Sequence, residues 1–189
     1  LAPAARVLIL DALGNIVTSA TDSVTIAFGA NPAGGVLAGT QRVAAVAGVA
    51  DFPSLRIIKA GTGYTLTATA TGLTSATSGA FSVTAGGGAK LAYTVQPTAT
   101  IAGVAIAPAV QVTVQDAQGN TVTGSTAGIT LAITSGTGTA GAGVGGTITQ
   151  TAVNGVATFA DLTIDKVGTG YTLTATATGL TSAISSAVA

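Results

Sequence analysis

The stretch GTGYTLTATATGLTSA, Gly61 to Ala76, occurs a second time without change at Gly168 to Ala183. In the second copy Tyr171, Leu173 and Ala175 alternate with Thr172, Thr174 and Thr176, the two-residue period that puts one set on each face of a β-strand. Working outward, GVADFPSLRIIKA at Gly48 to Ala60 matches GVATFADLTIDKV at Gly155 to Val167, and LAPAARVLILDALGNIV at Leu1 to Val17 matches IAPAVQVTVQDAQGNTV at Ile106 to Val122. The offset is 105 residues at the start and 107 further on, so the second copy holds two extra residues in the loop within 135–150. A period of that length is a small domain, too long for a solenoid repeat.

Within a copy, strand follows strand. Val110, Val112 and Val114 alternate with Gln111, Thr113 and Gln115, and Asp116 to Asn120 reads as the turn that ends them. Ile129, Leu131 and Ile133 alternate with Thr130, Ala132 and Thr134, and Asn154-Gly155 is a two-residue hairpin signal that the first copy replaces with Ala47-Gly48. No window shows helical spacing with caps. About seven short strands per copy, with turn signals every ~8–12 residues, predict an all-β chain of two tandem immunoglobulin-like β-sandwich domains. Three consecutive glycines within Gly86 to Lys90 place the boundary, giving domains 1–88 and 89–189. The first is expected to lack its first strand, because LAYTVQPTATIAGVA (Leu91 to Ala105) precedes only the second copy; the last strand of the second is expected to be truncated. The chain then reads as a window on a longer tandem array.

Tyr64 and Tyr171 each follow Gly-Thr-Gly and open a strand, where sandwich folds place a tyrosine whose ring enters the core and whose hydroxyl reaches a nearby carbonyl. Phe52 and Phe159 are the other expected core anchors.

The string VxVxDAxGNxV, then NGVATF, then GTGYTLTATATG, resembles the bacterial Ig-like tandem repeats of surface and secreted proteins, such as the stalk repeats of invasin- and intimin-like adhesins. The resemblance covers both copies. It implies an extracellular or cell-surface location and modules that serve mostly as spacers, a minority carrying binding tips.

Composition narrows the chemistry. The 189 residues include six Lys and Arg, six Asp, and no His, Cys, Met or Trp, with 6% charged residues and 48% apolar ones. Without His or Cys there is no imidazole base, thiolate nucleophile or favoured zinc ligand, so an enzyme is not expected and no cofactor is implied. Six scattered cations at zero net charge argue against nucleic acid as a partner. No apolar run reaches the ~18 residues of a membrane-spanning helix, and seven Tyr and Phe are too few for the aromatic girdles of a membrane barrel.

The remaining motifs have plain readings. Gly141, Gly143 and Gly146 fit G-x-G-x-x-G, but no strand-turn-helix unit surrounds them, so a flexible loop is expected. Asp161 and Asp165, four residues apart on an extended segment, stand about 13 Å apart, too far for a glycosidase pair. Asp11 and Asn15, with Asp116 and Asn120, are weak Ca²⁺ candidates and otherwise Asx turns. Lys59 and Lys166 recur at one position, which an isopeptide bond to an Asn would exploit only if the amine were buried. Thr65, Thr67, Thr69 and Thr71 form the kind of row seen on ice-binding or O-glycosylated surfaces, and more commonly on any solvated strand.

The expected function is therefore that of a non-catalytic extracellular structural protein, a stalk, sheath or filament built by self-association. Sparse charge suits surfaces covered by neighbours. Leu91, Tyr93 and Val95 are the strand-donation candidates, since the open edge of the first sandwich could accept that strand from another subunit. The alternative is an adhesin that binds a host protein or carbohydrate through loops 29–40 and 135–146.

Overall fold

The computed structural model describes residues 3–188. Every regular element among them is a β-strand, and no helix is long and apolar enough to cross a membrane. The chain divides into two compact units, residues 1–84 and 85–189.

Unit 1 holds β1 (Ala5–Leu8), β2 (Ser23–Phe28), β3 (Leu37–Ala38), β4 (Arg42–Ala44), β5 (Val49–Phe52), β6 (Arg56–Ile57), β7 (Gly61–Tyr64), β8 (Leu66–Thr69), β9 (Ala76–Thr77) and β10 (Phe81–Val83). All pairings are antiparallel: β1 with β5, the four-stranded sheet β4-β2-β8-β9, and the short ribbons β3-β6 and β7-β10. Alternation sends Val24, Ile26 and Leu66 inward from the large sheet and Ala50 and Phe52 inward from β5. They meet in one core with Leu55 and Ile9, so two sheets bury their apolar faces against each other.

Unit 2 holds β11 (Lys90–Val95), β12 (Val110–Gln115), β13 (Gly128–Ile133), β14 (Val144–Gly145), β15 (Thr149–Thr151), β16 (Val156–Phe159), β17 (Thr163–Ile164), β18 (Leu173–Thr176) and β19 (Ala183–Ile184). Here one sheet runs β11-β12-β16, the other β15-β13-β18-β19, with β14-β17 as a ribbon. Val110, Val112 and Val114 from the first face Ile129, Leu131, Leu173 and Ala175 from the second across a core that includes Phe159 and Leu162.

The expected boundary at 88/89 falls inside the segment that the structure ties to unit 2. Gly86 N donates to the Asp116 carboxylate at 2.9 Å and Ala89 N to the Gln115 carbonyl at 2.8 Å. These bonds give the triple glycine a definite course along unit 2.

The turn into β5 explains the Ala47/Asn154 exchange. Ala47 has φ 52° and Gly48 φ 77°; Asn154 has φ 50° and Gly155 φ 77°. Both copies use the same left-handed two-residue turn, closed by reciprocal backbone bonds between Val46 and Val49 and between Val153 and Val156. Asn adopts this conformation readily and Ala does not, so the first copy keeps the shape with a poorer residue.

Candidate functional site

The residues singled out in the sequence sort into three settings: corners, turns and a sheet edge. At the corners, Tyr64 and Tyr171 have buried rings, and each hydroxyl donates to a carbonyl five residues upstream, Lys59 O and Lys166 O, at 2.9 Å in both cases. Their direction comes from the Gly-Thr-Gly that precedes them, whose last glycine has φ 78° in unit 1 and 74° in unit 2. Phe28 stacks on Tyr64 at 5.7 Å, and Phe81 lies tilted at 6.2 Å. Phe52 and Phe159 are fully buried on β5 and β16.

In the turns, the carboxylates serve the backbone. Asp11 Oδ1 accepts from Leu13 N and Asn15 N at 2.9 Å each, and Oδ2 from Asn15 Nδ2 at 3.1 Å. Asp116 repeats this with Gln118 N, Asn120 N and Asn120 Nδ2, and adds Gly86 N. Asp116 is 2% exposed, and its desolvation opposes ionisation; the bonds from Asn120, Gly86 and Gln118 outweigh this and hold the carboxyl below the ordinary carboxylate range. The Asp11 carboxyl is lowered chiefly by the backbone and side chain of Asn15. Both Ca²⁺ candidates are thus Asx turns with their oxygens engaged, and no group of three or more Asp, Glu, His or Cys gathers among the described residues.

Asp161 and Asp165 act separately on loop 135–146 and its exit. Asp161 accepts from both the hydroxyl of Thr147, at 2.7 Å, and its backbone N–H, which lower its pKa. Asp165 Oδ1 accepts from Gly143 N at 2.7 Å. The glycines of the G-x-G-x-x-G string therefore lie in a loop braced by carboxylates, a setting opposite in charge to a phosphate cradle. In loop 29–40 the Asn31 side chain bridges Gly35 N and Gly35 O. Lys59 and Lys166 are exposed, and Lys166 Nζ donates to Ala140 O at 3.3 Å, so neither amine has the buried setting an isopeptide bond needs. The threonine rows are cross-linked: Thr67 with Thr77 at 3.2 Å, Thr130 with Thr149 at 2.9 Å, Thr134 with Thr174 at 2.8 Å.

At the sheet edge the two units differ. Leu91, Tyr93 and Val95 lie in β11, which pairs along β12 of its own unit; Leu91 is buried and Tyr93 donates its hydroxyl to Leu173 O at 2.9 Å. These strand-donation candidates thus close unit 2 and are engaged there. In unit 1, β1 is the counterpart of β12 and pairs, among the described residues, with β5 alone. Along its free side runs a groove of about 490 Å³, lined by Val7, Leu8, Leu10, Ala68, Leu73 and Ala76 among others. Ala68 and Leu73 carry no sequence signal for this groove, since their segment is identical to 168–183, where Ala175 is buried and Leu180 half-buried.

No protein-family model and no curated protein matches this chain. Solved structures that match weakly include a β-glucuronidase from Parabacteroides merdae, at 16% identity and TM-score 0.39 over 87% of this chain and 20% of that one. Bacteroides uniformis β-glucuronidase 3 gives 18% identity and TM-score 0.40 over 89% of this chain and 21% of that chain. A β-glycosidase from Bacteroides vulgatus gives 13% and 0.35, over 87% and 21%. The chain spans about one fifth of the length of the structures it matches.

Proposed function

We propose that this chain is a non-catalytic extracellular structural protein, a pair of tandem Ig-like sandwiches that work by stacking into a stalk, sheath or filament. The Ig-like reading rests on strand order. Sheets β11-β12-β16 and β15-β13-β18-β19 follow the A-B-E and C′-C-F-G arrangement of such sandwiches, and Tyr171 stands just before the F-equivalent strand with its hydroxyl bonded back upstream. Unit 1 repeats the pattern, without an A-equivalent strand among the described residues.

One observation carries the structural role. Five of the six aspartate carboxylates, those of Asp11, Asp51, Asp116, Asp161 and Asp165, accept hydrogen bonds from their own unit's turns, loops or strands. Acid chemistry needs carboxylates aimed at a shared open space with the proton free to move. Here the anionic groups brace turns, loops and, at Asp51, the β1–β5 strand pair, which is scaffold work. Low surface charge on a chain of this length favours packing against neighbours over free solution.

Negative-stain electron microscopy of the purified chain, concentrated at neutral pH, tests the reading. Ordered fibres or sheets with a repeat matching the two-unit module are expected. Protein that stays monodisperse at every concentration and gives a saturable signal for a glycan or a host protein would replace the structural role with adhesion.

A further inference from the structure

The outer face of the sheet β4-β2-β8-β9 carries an open concavity of about 350 Å³, lined by Ser23, Thr25, Arg42, Thr69, Ala70 and Thr71. Strand register builds it. Thr25 stands opposite Arg42 on β4 and opposite Thr69 on β8, so a guanidinium and two hydroxyls form one row across three strands. Ser23 lies two residues before Thr25, on the same face, and Thr71 follows Thr69 at the same spacing. Val24 and Ile26 turn the other way, into the core.

The polar groups of this row are unengaged. Thr65 accepts from Ala30 N and Thr67 bonds Thr77, whereas the hydroxyls of Thr69 and Thr71 have no partner among the described residues. The same holds for the hydroxyls of Ser23 and Thr25 and for the Arg42 guanidinium. Arg6, by contrast, is paired with Asp51 at 2.7 Å.

Unit 2 has the same row in a closed form. In the matching register Thr149 replaces Arg42 and Gly128 replaces Ser23, and the hydroxyls of Thr130 and Thr149 bond each other at 2.9 Å. Thr176, the counterpart of Thr69, turns its hydroxyl to Thr130 O at 3.4 Å. Arginine in place of threonine thus accompanies an open row with a positive charge at its end.

The lining selects the occupant. Ala70 is the one apolar side chain among the six, so an apolar ligand would gain little from burial there. Each hydroxyl can both donate and accept, which suits a polyol whose own hydroxyls do the same. A guanidinium takes an oxyanion through two parallel bonds, and a lone cation suits one such group rather than a run of phosphates. We propose that this face of unit 1 is a binding site for an acidic saccharide, a sugar whose carboxylate or sulfate sits on Arg42 and whose hydroxyls bond Ser23, Thr25 and Thr69. The inference goes beyond the structural reading and does not depend on it: fibre formation and sugar binding are separate measurements.

The test follows the amide signals of the isotope-labelled full chain during titration with trigalacturonate and with a sulfated galactotriose, unmodified galactotriose being the neutral control. Saturable shifts centred on β2, β4 and β8 are expected with at least one acidic sugar, and the one that binds identifies the oxyanion. Arg42→Gln, at an exposed position, is expected to weaken binding about tenfold, because it removes the charge-assisted bonds and keeps an amide. Thr25→Val keeps the shape and deletes one hydroxyl, for an expected loss of about threefold. Both variants should keep the circular dichroism of the parent chain. Absence of saturable shifts with both acidic sugars, equal binding of the neutral control or of inorganic sulfate, shifts centred elsewhere, or unchanged binding in either variant overturns the site.

Discussion

The hydroxyl of Tyr93 donates to the carbonyl of Leu173 at 2.9 Å, fastening the first strand of unit 2 to a strand of the opposite sheet. The Leu173 carbonyl already accepts Ser185 N, so the phenol uses its second lone pair. This side chain joins the two sheets of unit 2 at the β11 edge, beside the backbone bonds from Leu91 N to Thr181 O and from Thr181 N to Ala89 O.

Tyr93→Phe deletes this bond and leaves the Leu173 carbonyl its backbone partner, so the cost is that of one half-buried hydrogen bond. Urea denaturation of the full chain should show the unit 2 transition destabilised by about 1 kcal/mol, with unit 1 unchanged. A change below ~0.3 kcal/mol would mean that the phenol contributes only its ring.

The hairpin before β5 gives a pair of opposite effects. Ala47→Asn replaces a residue held at φ 52° by one that tolerates it, and Asn154→Ala does the reverse at φ 50°. Reversible unfolding should show the first stabilising and the second destabilising, each by about 0.5–1 kcal/mol. Ala47 is exposed, so no packing change confuses the sign.

These turns also mark how far sequence reading reaches here. Alternation at Val110–Val114 and Ile129–Ile133 identified β12 and β13, because a two-residue period has a direct structural meaning. Tyr171 was legible because glycines frame it in a chain with three tyrosines. What the sequence did not disclose lies in relations between distant segments. Asp161 bracing Thr147 and Asp165 bracing Gly143 depend on which loop folds over which strand. Leu73 and Leu180 have identical sequence neighbours, yet Leu180 is half-buried and Leu73 is 43% exposed, a difference set by distant segments.

Gly138 tests the packing around the second corner. It has φ +65°, and a Cβ built there overlaps the ring of Tyr171. Gly138→Ala combines backbone strain with displacement of a buried aromatic ring, and thermal unfolding should show unit 2 losing about 2 kcal/mol or more. Gly128→Ala, at a strand position where a Cβ meets nothing within 4 Å and φ is ordinary, is the control, expected to be neutral or stabilising by up to ~1 kcal/mol. Equal destabilisation by both would show that the Tyr171 contact is not the cause.

Acid and alkali should each destabilise the protein through different residues. The Asp11, Asp116 and Asp161 carboxyls are held low in the folded state, so their contribution is complete above the unfolded value of about 4 and is lost as pH falls through the folded values. Burial raises the Tyr93 phenol, whose contribution is complete below the unfolded value of about 10 and is lost as pH climbs towards the folded one. With no histidine, no side chain has an ordinary pKa between these limits. Thermal midpoints should therefore stay level from about pH 5 to 9, fall below about pH 4 and fall again above about pH 10. Tyr93→Phe should flatten the alkaline limb of unit 2 and leave the acid limb intact, whereas Asp116→Asn should do the opposite. A midpoint that slopes through neutrality, or an alkaline limb indifferent to Tyr93→Phe, would show that other groups govern the response.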